Sequence, residues 1–94
     1  MATIHIEAIS FCCANGIYAA SLVKREAQAK GHSVRVTASR VRDGQASLDG
    51  SGFTVESLRH SGVLRLQAEG RQAVWIRSRE WQRWAECLEA KEVL

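Results

Sequence analysis

The chain reads as one α+β domain: a β-α-β opening, then an antiparallel meander and a C-terminal helix, with one mixed or antiparallel sheet packed against two helices. Three observations predict it. Apolar residues alternate along Thr3–Phe11 and again along His32–Arg42, a helical apolar stripe fills the interval between them, and a second stripe follows Ser78. Length agrees, since 94 residues, 46% hydrophobic and free of proline, suit a single core over residues 1–94 and leave no room for a second.

In the first strand Ile4, Ile6 and Ala8 point one way and His5 and Glu7 the other, as on a sheet with one face in the core. Ile9 and Phe11 then put apolar groups on the opposite face, which predicts that the end of this strand is covered on both sides or bulged. Cys12 to Gly16 reads as a small-residue loop, with Asn15 as N-cap of a helix from Ile17 to Lys30 and Gly31 as its stop. Tyr18, Leu22 and Ala29 make one stripe of that helix, widened by Ile17, Ala20, Val23 and Ala27. Val34, Val36 and Ala38 alternate with Arg35, Thr37 and Ser39 in the second strand, which is parallel to the first if the two are neighbours. A short return strand is expected at Gln45–Leu48, and further strands at Phe53–Leu58, Val63–Ala68 and Arg71–Arg77. Ser78 is the expected N-cap of the closing helix, whose Trp81, Trp84, Ala85 and Leu88 fall on one face.

No segment reads as a membrane span or a signal peptide, so the expected location is cytoplasmic. The net charge of +3 hides an uneven distribution: Lys24 to Arg83 holds twelve basic and six acidic residues, and both ends are mildly acidic. Ten of the thirteen cations are arginine, which suits bidentate contact with carboxylate or phosphate and stacking on aromatic rings. A genome rich in G and C raises arginine content in the same way.

Cys12, Cys13 and Cys87 are too few and wrongly spaced for a disulfide framework or a tetrahedral zinc site. His5, His32 and His60 stand at no recurrent metal-binding interval, so neither metal nor cofactor is expected. No nucleophile elbow and no C-x5-R loop is present, and the chain reads as no enzyme. The strand-Cys-Cys-x-x-Gly-helix opening resembles the thioredoxin-like fold, and within it the selenoprotein W-like redox family. Gly16 stands where that family has its second chalcogen, and a chain without proline has no cis-proline loop. The resemblance implies one thing, that Cys13 matches the first motif cysteine and is a candidate reactive thiol.

The remaining candidate is a surface. Arg35, Arg65 and Arg77 fall in the outward phase of their strands, and Trp75 shares the face of Arg77, so a sheet could present guanidiniums beside an indole. Such a face suits a protein partner, including a complex that handles nucleic acid, or nucleic acid itself by phosphate contact and stacking. The favoured expectation is a stoichiometric regulator or inhibitor of a larger host assembly, in the style of small phage or mobile-element proteins such as the anti-CRISPR inhibitors. That likeness is one of size and composition, without a shared motif. The alternatives are a nucleic-acid-binding protein and a thioredoxin-like thiol protein using Cys13, and a homodimer through an edge such as Phe53–Leu58 is compatible with each.

Overall fold

The computed structural model describes residues 3–11, 13–42, 44–59 and 62–89, with the side chains of 13–15 and 89 outside that description. Four strands form one mixed sheet in the order β2-β1-β3-β4: β1 (Thr3–Ser10), β2 (Ser33–Arg40), β3 (Val63–Ala68) and β4 (Val74–Arg77). β1 lies parallel to β2 and antiparallel to β3, and β3 is antiparallel to β4. The expected α+β fold with its β-α-β opening is therefore present.

Helix α1 (Cys13–Ala29) and the C-terminal segment pack on the face that carries Ile4, Ile6, Ala8, Leu64, Leu66, Val74 and Ile76. The helix begins four residues earlier than the sequence suggests, so Asn15 lies inside its first turn and is not the N-cap. Its buried stripe is Ala19, Ala20, Val23 and Ala27, while Ile17 and Tyr18 are exposed. Small residues win this face because the helix sits close to the sheet. A Cβ on Gly16 would lie 3.2 Å from the Ala8 Cβ, so the start of the helix runs close against β1. Gly31, at φ +92°, ends the helix as expected, with its N–H donating to the Gln28 carbonyl and the His32 N–H to that of Ala27.

After β4 the chain makes 3₁₀ turns over Ser78–Arg83 and then helix α2 (Trp84–Glu89). Arg77, and not Ser78, occupies the N-cap position of these turns, and the Ser78 hydroxyl is buried with no hydrogen-bond partner among the described residues. Trp84 is 2% exposed, and its Nε1–H donates to Glu26 Oε1 on α1 at 2.8 Å, with the Lys30 ammonium 5.0 Å from its ring. Trp81, Ala85 and Leu88 pack against the same core.

Two expected strands are absent. Gln45–Leu48 is a 3₁₀ turn over Ala46–Leu48, and Phe53–Leu58 ends in another at Glu56–Leu58. In the second case side chains compete with a ladder. The Thr54 N–H donates to Ser57 Oγ at 2.9 Å, the Ser57 N–H to Thr54 Oγ1 at 3.2 Å, and Ser57 Oγ to the Thr54 carbonyl at 2.6 Å, closing a turn. The expected Arg71–Arg77 strand shortens to its last four residues. The 44–58 segment instead folds over the far face of the sheet, where Val41, Leu48 and Leu58 bury Ile9 and Val63 in a second core, flanked by Phe53, Val55 and Trp75. That covering is what Ile9 on the second face foretold, whereas Phe11, just past the end of β1, is exposed.

Candidate functional site

With both helices on one side, the opposite side of the sheet holds every odd-numbered side chain of β1 to β4. Strand register arranges them in cross-sheet rows: Arg35, His5, Gln67; then Thr37, Glu7, Arg65, Trp75; then Ser39, Ile9, Val63, Arg77. The four residues expected to form a binding surface thus share one face. They lie on a diagonal, and strand spacing and rise put Cα of Arg35 about 12 Å from Arg65, and Arg65 about 8 Å from Arg77.

The 44–58 segment divides this face. It caps the third row, and the Arg77 guanidinium lies 5.7 Å from the Phe53 ring at its edge. Beside it the Arg65 guanidinium stands 5.8 Å from the Trp75 ring, while the indole N–H donates to the Ser47 carbonyl at 3.0 Å. Trp75 shares this face as expected, but it is half-buried, so it forms a wall of the site with one edge tied down. Arg35 lies apart on β2, exposed, beside His5. None of these three arginines makes an ion pair among the described residues.

Glu7 occupies the middle of the face. Its Oε2 accepts from Ser39 Oγ at 2.5 Å and from Ser47 Oγ at 2.9 Å, so this outward-facing strand glutamate anchors the covering segment. One row away, His5 Nε2 is 2.7 Å from Thr37 Oγ1. Burial, and the nearby charges of Arg35 and Arg65, hold the His5 imidazole below its usual range against the opposing pull of Glu7.

Two depressions flank this network. A groove of 670 Å³ is lined by Glu7, Ser47, Asp49, Arg65, Gln72 and Trp75, and a hollow of 390 Å³ by His5, Arg35, Gln67 and Glu69. The first holds two carboxylates beside its arginine. Glu7, Ser47 and Asp49 were missed as site residues because their role depends on the long connection folding back over the sheet, which no local pattern states.

The thiol candidate has a definite backbone position: Cys13 is the first residue of α1. Its side chain and Cys12 lie outside the described residues, as does His60. Cys87 is a half-buried free thiol on α2. Among the described residues no three His, Cys, Asp or Glu side chains gather into a metal site, and no helix is long and apolar enough to cross a membrane. Comparison with protein-family models, with curated proteins and with solved structures finds no match to this chain.

Proposed function

We propose that the chain is a stoichiometric binding protein, a regulator or inhibitor of a larger assembly, that docks through the helix-free face of its sheet. The observation that carries this reading is the Arg65–Trp75 pair beside an open groove, with Arg35 and Arg77 on the same diagonal. A rigid aromatic wall under a guanidinium is the kind of pair that dominates protein interfaces. The spacing favours a macromolecule. Arg35, Arg65 and Arg77 stand on three different strands, and Arg65 and Arg77 lie against different rings, Trp75 and Phe53, so an extended acidic surface can meet all three where they stand.

A protein partner is favoured over nucleic acid by charge. Glu7 and Asp49 line the same groove as Arg65, and fixed carboxylates there repel a phosphate backbone while accepting the mixed charge of a protein surface. Small size, arginine richness and a sheet-face site suit a phage- or mobile-element-type inhibitor of the anti-CRISPR style acting in the cytoplasm, on a complex that itself handles nucleic acid.

The test is affinity capture of host proteins by the wild type and by Arg65→Glu, Arg35→Glu, Arg77→Glu and Trp75→Ala, in parallel with fluorescence anisotropy on single- and double-stranded oligonucleotides. Loss of one and the same captured protein in the folded variants supports the reading. Capture that is indifferent to all four substitutions removes this face as the site. Oligonucleotide binding with a log–log salt slope of several units moves the function to nucleic acid.

A further inference from the structure

We propose that β2 is a self-recognition edge, through which two copies of the chain pair antiparallel about a two-fold axis at Val36 into one continuous eight-stranded sheet. This inference does not rest on the function of the arginine face. The sheet order leaves two edges, and they are unequal: β4 has four residues, whereas β2 has eight in unbroken register with β1. β2 carries neither proline nor bulge, two of the devices that blunt natural edges.

The direction of its backbone follows from one bond. The Val41 N–H donates to the Ser10 carbonyl across the β1–β2 boundary, and in a parallel ladder alternate residues aim both backbone groups at the same neighbour. Odd-numbered residues of β2 therefore face β1, and Val34, Val36 and Ala38 aim their N–H and C=O groups outward. Among the described residues no backbone group meets them, whereas the Arg40 carbonyl is already taken by the Gly44 N–H at 2.7 Å. Three consecutive outward pairs stand open, on residues whose side chains are partly or wholly exposed on the helix side.

Self-complementarity selects a second copy as the occupant. Centred on Val36, Ser33 lies opposite Ser39 of the other copy, Val34 opposite Ala38, Arg35 opposite Thr37, and Val36 opposite itself. Apolar meets apolar and hydroxyl meets hydroxyl, with roughly six ladder hydrogen bonds from the three open residues. Neighbouring registers fail on specific pairs. Moving the axis to Arg35 sets like charges directly opposite, and moving it to Thr37 sets Val34 against Arg40, whose carbonyl is engaged. The joined sheet places both copies of Arg35 on one helix-free face. The contact is small, so the association is concentration-dependent.

Sedimentation of the full chain, with amide hydrogen exchange on the same samples at about 5 and about 500 µM, tests this. The expected result is a shift from the 10.4 kDa monomer toward twice that mass, with at least about tenfold slower exchange at Val34, Val36 and Ala38 and no change at Arg35 and Thr37. A monomer at every concentration overturns the proposal and leaves the edge to a foreign strand, and a dimer without protection at those three amides overturns it as well. Ala38→Pro removes an outward N–H that has no partner within the monomer, a substitution edge strands tolerate. It should abolish the dimer while keeping the circular dichroism spectrum. A folded Ala38→Pro protein that dimerises like the wild type refutes the edge, and if that variant does not fold the wild-type amides decide alone.

Discussion

Glu7 ties the covering segment to the sheet, and Glu7→Gln measures how much that tie is worth. The substitution keeps the volume and an acceptor oxygen but removes the charge from the two hydrogen bonds given by Ser39 and Ser47. A hydrogen bond to a charged group contributes about 1.5–3 kcal/mol, a neutral one about 0.5–1.5, so the change is about 1 kcal/mol per bond and about 2 for both. Glu7 is half-buried, and competition from water reduces this to about 1 kcal/mol. For a chain of this length the unfolding entropy is about 0.2 kcal/mol/K, so the melting temperature should fall by about 5 °C. Thermal and urea denaturation of the wild type, Glu7→Gln, Ser47→Ala and the double variant give the coupling directly, expected at about 0.5–1 kcal/mol. A Glu7→Gln protein within about 1 °C of the wild type, with no coupling to Ser47, would refute the reasoning and leave the segment held by its apolar packing and the Trp75–Ser47 bond.

Gly62→Ala should cost about 1–3 kcal/mol in urea denaturation, because a Cβ there would lie 2.9 Å from both the Ile9 carbonyl oxygen and the Ser10 Cβ; an unchanged midpoint would show that this strand end yields easily. Trp75→Ala should cost about 2 kcal/mol, less than a fully buried tryptophan, since it loses half-buried packing and the bond to the Ser47 carbonyl; a cost of about 4 would mean that the ring belongs wholly to the core. Charge reversal at Arg35 or Arg77 should move stability by no more than about 0.5 kcal/mol, which is what makes these variants fair probes of binding. His5 yields a pH dependence. Its folded pKa lies below the usual 6.5 of histidine, so the unfolded chain binds this proton more readily: the His5 contribution is complete above about pH 6.5 and is lost as pH falls through that value toward the folded pKa. His5→Asn should flatten the stability profile between pH 8 and 5, and an NMR titration midpoint at or above 6.5 would refute the assignment.

The parts of the fold legible in the sequence are those where periodicity and burial agree. Ile4, Ile6 and Ala8 against His5 and Glu7, or Val34 and Val36 against Arg35 and Thr37, record a two-sided environment at every residue, and the parallel pairing of β1 with β2 follows from the helix between them. Where a local polar contact wins, the pattern misleads. Phe53, Val55 and Ser57 alternate like a strand, but Thr54 and Ser57 bind each other's backbone and wind the chain into a turn. The Thr-x-x-Ser spacing was the available signal, since it resembles a capping pair more than a ladder segment. The α1 stripe misled for a different reason. Periodicity gives the direction of the apolar face but not the distance of closest approach, and Gly16 with its 3.2 Å limit to Ala8 turns the alanines inward and Tyr18 out.

The same distinction separates the arginines from the groove beside them. Arg35, Arg65, Arg77 and Trp75 could be put on one face by counting parity along strands, because a strand hides nothing about the side to which a residue points. Glu7, Ser47 and Asp49 could not, since they meet only when a long connection returns across the sheet and buries Leu48 over Ile9. That return narrows a flat basic face to a groove lined by Glu7 and Asp49 as well as Arg65 and Trp75, and in the proposed function these carboxylates are the feature that would favour a protein surface over a phosphate backbone. Glu7→Gln tests this step too: by removing one carboxylate it should strengthen any oligonucleotide binding and weaken capture of a protein that places a cation against Glu7. Movement of both in the same direction would show that the groove does not discriminate by charge.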